Sequence, residues 1–198
     1  MKVYCILSDE RAVHSRSPAM FSAVLKRQGI NAVYVPFVVQ PSDLGQALSG
    51  LRVLNIAGAN VTVPYKEAVI PHLDILSEGA KIIGAINTVV WDGKVLKGYN
   101  TNAIGFMDTL EELGCEVAGK RALVFGSGGA AKAVVFIFNW LRAESVTITG
   151  RNAAKCREMA ERLGGAWRPL ESVLERPFRA DIVVNATSIS SEDESAEF

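Results

Sequence analysis

The stretch that most restricts what this chain can fold into is "KRALVFGSGGAAKAVVFIFNWL", residues 120–141. Arg121 to Phe125 reads as a buried strand, Gly126-Ser127-Gly128 as a tight turn, and Ala130 onward as a helix whose first amides point back at the turn. Glycines let the backbone approach a pyrophosphate, the small Ala131 permits close helix–strand packing, and a helix N-terminus favours an anion. The pattern is G-x-G-x-x-A, which glycine-rich turns also adopt for packing alone, so two readings stand at this point. A second strand, "SVTITGR", ends at about the expected distance in Arg151 rather than Asp or Glu. An acidic residue there would hydrogen-bond the ribose 2′-hydroxyl of NAD, whereas a guanidinium can pair with the 2′-phosphate of NADP. An ordinary surface arginine is the other reading, yet the missing acid still argues against NAD. A later run, "ADIVVNATS", predicts another parallel strand whose C-terminal end, Asn185 to Ser188, faces the same crevice.

Such a unit needs only half of the 198 residues, and with 49% hydrophobic residues the rest can bury a second core, so two domains are expected. In the first half, "KVYCIL", "SPAMFSAVLKRQG", "AVYVPFVV", "PSDLGQALSGL" and "NIAGANVTV" alternate short apolar runs with amphipathic ones. That rhythm predicts a mostly parallel sheet covered by helices, an α/β fold. "NTVVWDGKVLKGYN" differs: Asp92-Gly93 between two alternating runs predicts a hairpin with a two-residue turn at the edge of the first domain. "NTNAIGFMDTLEELG" predicts a linking helix with Ala103, Met107, Leu110 and Leu113 on one face and Gly114 as its stop.

The 21 basic and 21 acidic residues balance without long runs, so nothing points to nucleic acid or a membrane surface, and a small-molecule partner is expected. Cys5, Cys115 and Cys156 are far apart, with no CxxC pair or His cluster to suggest a disulfide framework or a metal. No stretch approaches a transmembrane span and the N-terminal apolar run is too short for a signal peptide, so a soluble, cytoplasmic protein is expected.

"HSRSPAMF", "GANVTVPYKEA", "GAINTVVWDGKVLKGYNTNAIGF", "GSGGAAKA" and "NATS" occur in the order and spacing of shikimate dehydrogenases, and the chain resembles that family over nearly its whole length. The resemblance implies a substrate-binding and catalytic domain over residues 1–101 and a Rossmann NADP-binding domain over 102–198. It implies NADPH-dependent reduction of 3-dehydroshikimate to shikimate, in aromatic amino-acid biosynthesis. Ser15 and Ser17 would hydrogen-bond the substrate carboxylate; two hydroxyls one residue apart can converge on one anion, although either could simply cap the helix that Pro18 starts. Thr62 and Asn87 would contact ring hydroxyls, since both types donate and accept. Lys66 would be the catalytic lysine, assisting proton transfer at the substrate hydroxyl, with a pKa that a partly dry cleft lowers toward the working pH. Cofactor contacts would fall to Gly126, Ser127, Gly128, Gly129, Ala130, Gly150, Arg151, Asn152, Lys155 and Thr187. Glu78 also matches a position near the cofactor, though a solvated helix glutamate explains it equally well.

Two departures stand out. The family's motif at residues 100–102 reads N-T-D, with the aspartate pairing with the lysine and touching the substrate hydroxyl; here it is "NTN". Asn102 keeps a hydrogen bond but carries no charge and cannot accept a proton. That leaves an engineered substitution, a paralogue acting on quinate or a related hydroxy acid, or a non-catalytic NADP or shikimate binder; a purely structural role is a further alternative. The second departure is length, because the family continues past "NATS" with more sheet and a C-terminal helix. "NATSISSEDESAEF" suggests a truncated cofactor domain: a fragment, or a shortened relative completed by another subunit, and the last strand left as an edge invites a homodimer.

Overall fold

The computed structural model describes residues 1–175 and 177–188. The acidic run 189–198, on which the expectation of a shortened C-terminus rests, lies outside the described residues. The chain divides into two compact units, Met1–Thr101 and Asn102–Phe198.

The first unit holds β1 (Lys2–Ser8), α1 (Ser17–Arg27), β2 (Ala32–Val38), α2 (Leu44–Val53), β3 (Gly58–Val61), β4 (Ile75–Leu76), α3 (Glu78–Ile83), β5 (Thr88–Trp91) and β6 (Leu96–Tyr99). They build one six-stranded sheet in the order β2-β1-β3-β5-β6-β4, in which β1 pairs in parallel with β2 and β3 while β3, β5 and β6 pair antiparallel. Residues Cys5 to Ser8 of β1 are all buried, as expected of a central strand covered on both faces. The alternation of the strand sends Cys5 and Leu7 into the larger core with Leu44, Leu48 and Leu51 of α2, and Ile6 into a smaller cluster with Leu25 and Tyr34 beneath α1. Leu44, Leu48 and Leu51 recur at one helical face, each worth ~1.5–3 kcal/mol when fully buried.

The hairpin forms, but with a four-residue loop. Trp91 pairs with Leu96, and the Asp92 carboxylate accepts from the Lys94 and Val95 amides at 2.9 and 3.0 Å, with Gly93 at φ +91°. An aspartate that caps two downstream amides stabilises the longer loop over the two-residue turn. The short β4 pairs in parallel with β6 outside the hairpin.

α4 (Thr101–Glu112) spans the division between the units. Ala103 and Leu110 are buried as the periodicity predicts, whereas Leu113 is 75% exposed, because the helix has already ended when the chain reaches it. In the second unit β7 (Arg121–Phe125), α5 (Gly129–Trp140), β8 (Ser145–Thr149), α6 (Ala153–Leu163), β9 (Ala166–Trp167), α7 (Leu170–Leu174) and β10 (Ile182–Asn185) follow. The four strands are all parallel in the order β10-β7-β8-β9. α5 buries Ala131, Ala133, Val134, Val135, Ile137 and Phe138, and the Asn139 amide caps α6 by donating to the Leu163 carbonyl at 2.9 Å.

Among the described residues no helix is long and apolar enough to cross a membrane, and no group of three or more His, Cys, Asp or Glu could hold a metal.

Candidate functional site

In the second unit the β7-to-α5 connection is held from three sides. The Gly126 amide donates to the Thr149 carbonyl at 2.8 Å, and the Ala186 amide donates to the Phe125 carbonyl at 2.8 Å. The C-terminal ends of β7, β8 and β10 therefore meet at Gly126. Its φ is +120°, and a Cβ there would stand 2.8 Å from the Ala186 carbonyl oxygen. Gly126→Ala is expected to add ~1–3 kcal/mol of backbone strain alone and to lower the melting temperature by several degrees; an unchanged melting curve would contradict this close approach.

Beyond Gly126, Gly128 is the N-cap of α5 and no side chain caps that end. A Cβ on Gly128 would meet nothing within 4 Å, so the space in front of the first helical amides, from Gly129 and Ala130, is open. Uncapped amides at the positive end of a helix dipole suit a phosphate. The helix begins at Gly129, one residue before the sequence suggests.

The Gly150–Lys155 segment lies beside this turn: a Cβ on Gly150 would touch Gly126 at 3.6 Å and the Cys156 thiol at 3.3 Å. Arg151 and Lys155 are exposed at the end of β8 and the start of α6. The Asn152 side-chain oxygen accepts from the Lys155 amide at 3.0 Å, so that oxygen is committed to capping α6. At the end of β10 the Asn185 carboxamide oxygen accepts from the Thr187 amide and hydroxyl at 3.0 and 2.7 Å, which fixes Thr187. Burial raises the pKa of the Cys156 thiol, an effect that the neighbouring Ser127 opposes. The structure thus gathers Gly126, Ser127, Gly128, Gly150 and Thr187 around one strand-end junction.

In the first unit the polar residues converge at the ends of β3 and β5. The Lys66 carbonyl accepts from the Ile86 amide at 2.6 Å, and the Asn87 carbonyl accepts from the Val61 amide at 2.9 Å. Asn87, 9% exposed, receives the Thr101 amide on its side-chain oxygen at 2.9 Å and donates to the Thr101 hydroxyl at 2.9 Å. Lys66, Asn87 and the start of α4 are thereby tied to one junction, and Asn102 follows Thr101 directly. Asn60 and Tyr34 extend it: the Asn60 amide donates to the Asn87 carbonyl at 3.2 Å and to the Thr88 hydroxyl at 3.3 Å, while Tyr34 donates to the Asn60 oxygen at 2.7 Å.

Lys66 stands in a run of turns, and burial pushes its pKa below the usual lysine value. Thr62 is placed by its amide, which donates to the Leu7 carbonyl at 3.2 Å. The Ser15 hydroxyl accepts the Ser17 amide at 3.1 Å, so Ser15 does serve the entry to α1, which Pro18 continues in its first turn. Glu78 lies at the start of α3 and pairs with Lys81 at 2.6 Å, its side chain 83% exposed.

Asn60, Thr101 and Tyr34 are not singled out by the sequence reading. A signal for Asn60 was available, because it lies two residues from Thr62 in an extended run and so shares its face. Nothing in the sequence brings Tyr34 to Asn60, which is 26 residues away with β1 between their strands.

Residues 9–89 match the family model for the shikimate dehydrogenase substrate binding domain, and residues 109–193 match that for shikimate / quinate 5-dehydrogenase. The NADP(+) shikimate dehydrogenase of Moorella thermoacetica is 44% identical over 184 residues, covering 89% of this chain and 62% of the relative. That of Pyrococcus furiosus is 41% identical, covering 98% of this chain and 69% of the relative. The chain thus spans less than two thirds of several curated relatives and a little more of others. Among solved structures, shikimate 5-dehydrogenase of Thermus thermophilus in complex with NADP(H) and shikimate superposes with a TM-score of 0.82 at 36% identity, covering 94% of this chain and 69% of that one. Shikimate dehydrogenase of Aquifex aeolicus does so with a TM-score of 0.86 at 36% identity, covering 95% and 69%.

Proposed function

The chain belongs to the shikimate dehydrogenase family, and we propose that it binds NADP and shikimate and interconverts shikimate and 3-dehydroshikimate. The observation that carries the reading is Lys66, an amine whose charge burial disfavours, fixed beside Asn87 at the polar end of the first unit's sheet. A lysine whose proton is held less tightly than usual suits removal of the substrate hydroxyl proton as the carbinol carbon is oxidised, and return of that proton in reduction. When bound, NADP supplies the hydride acceptor and donor. Ser15 and Ser17 hold the carboxylate, and Thr62 and Asn87 the ring hydroxyls. The open helix end at Gly128–Ala130 takes the pyrophosphate, and Arg151 with Lys155 the 2′-phosphate. Thr187, Gly150 and Asn152 frame that crevice, and Glu78 borders the cofactor.

Residues 1–101 form the substrate domain in this reading, and 102–198 the cofactor domain. The protein works in the cytoplasm, in keeping with three free cysteines. Two copies associate as a homodimer in the same reading. Quinate is the alternative substrate. Asn102 favours a second reading, a binder that keeps both ligands without turnover.

Calorimetric titration tests the assignment. NADP⁺ is expected to bind at least tenfold more tightly than NAD⁺, and Arg151→Ala to erase most of that difference. Shikimate is expected to bind better than quinate. Equal affinity for the two dinucleotides, unchanged in the variant, contradicts the role of Arg151.

A further inference from the structure

Tyr34 sits on β2, one strand removed from any residue assigned a role above, yet it is 5% exposed and its hydroxyl is turned toward the polar junction. β2 lies beside β1, and β1 beside β3, so Tyr34 and Asn60 lie on the same face with β1 between them. Phe21 of α1 stacks on the Tyr34 ring with centroids 4.5 Å apart and planes 6° from parallel, which fixes the ring. Tyr34 donates to the Asn60 oxygen at 2.7 Å, and Asn60 spends both its amide hydrogens on the Asn87 carbonyl and the Thr88 hydroxyl. Burial drives the pKa of the phenol upward, so the hydroxyl keeps its proton for Asn60.

We propose that Tyr34 is a positioning residue for the substrate: its single hydroxyl, on a ring held by stacking, fixes the Asn60 carboxamide and through it the Asn87–Thr88 edge, at the ring-hydroxyl end of the site. Hydroxyls on one rigid ring demand partners held in fixed places, and a phenol held by stacking fixes them at little entropic cost. The chain of bonds also selects the carboxamide orientation of Asn60. With the oxygen accepting from Tyr34, the NH₂ group must face Asn87 and Thr88. Without the phenol hydroxyl, either orientation of Asn60 is open.

This inference rests on the shikimate reading above, and one titration series separates the two. Tyr34→Phe keeps the ring, its stacking and its buried area. Calorimetry with shikimate and with NADP⁺ on the parent and the variant is expected to show shikimate affinity falling about tenfold while NADP⁺ affinity stays within twofold. Phe21→Leu, which removes the stacking and keeps the hydroxyl, is expected to lower the melting temperature while shikimate affinity falls less than in Tyr34→Phe. Unchanged shikimate affinity in Tyr34→Phe overturns the inference and leaves the proposed function standing, as does a parallel loss for both ligands. No shikimate binding by the parent overturns both.

Discussion

Asn102→Asp is expected to raise the rate of shikimate oxidation by ~10²–10⁴, the usual size of one acid–base contribution. An asparagine at this position can hydrogen-bond a substrate hydroxyl but cannot take its proton or hold an ammonium by charge. Its placement is set by the residue before it: Thr101 is fixed to Asn87 through its amide and its hydroxyl, and Asn87 follows Ile86, whose amide is bonded to the Lys66 carbonyl. Because the substitution changes one terminal group without changing size, binding of shikimate should move far less than the turnover rate. Initial rates and calorimetry on the same two proteins check this. A rate that stays flat while both ligands bind removes position 102 from the chemistry and favours a binder.

Lys66→Met is expected to abolish turnover while raising thermal stability at neutral pH. The lysine is the only amine whose charge is disfavoured by burial alone among the described groups with resolved shifts. Its folded pKa lies below 10.5, so below that folded value the protein bears a buried charge that the unfolded chain holds at no cost. As pH rises from the folded pKa toward 10.5 the cost falls away, because the folded amine is already neutral while the unfolded chain progressively loses its proton too. The stability advantage of Lys66→Met should therefore be largest at neutral pH and shrink toward pH ~10. Shikimate oxidation by the parent should rise with pH across the same folded pKa, since the neutral amine is the base. Thermal melts and rate profiles over that range read both. A Lys66→Met protein that turns over at the parental rate would end the assignment of this residue to proton transfer.

The glycine-rich turn was the most legible part of the fold. Strand, turn and helix at 121–140 follow from local rules, and Gly126 is needed because β10 approaches it, a contact its sequence neighbourhood does not contain. The hairpin at Asp92 was legible as a reversal but not as a four-residue loop, since that choice depends on which amides the aspartate captures. β4 was invisible because two residues, Ile75 and Leu76, carry no period. Leu113 was misplaced because a helical period does not reveal that the helix ends first. In the site, individual residues such as Lys66 and Asn87 came from motifs, while the bonds that join them cross strands. The Tyr34–Asn60 and Asn87–Thr101 pairs are tertiary and have no local signature.

The central claim is hydride exchange between shikimate and NADP, and isotope transfer tests it most directly. Shikimate carrying deuterium at the carbinol carbon would be incubated with NADP⁺ and the protein, in parent and Asn102→Asp forms, and the nucleotide analysed by mass spectrometry. The account predicts one deuterium in the reduced nucleotide, slowly with the parent and rapidly with the variant. Reduced nucleotide without the label, or none from either form despite binding of both ligands, would contradict it.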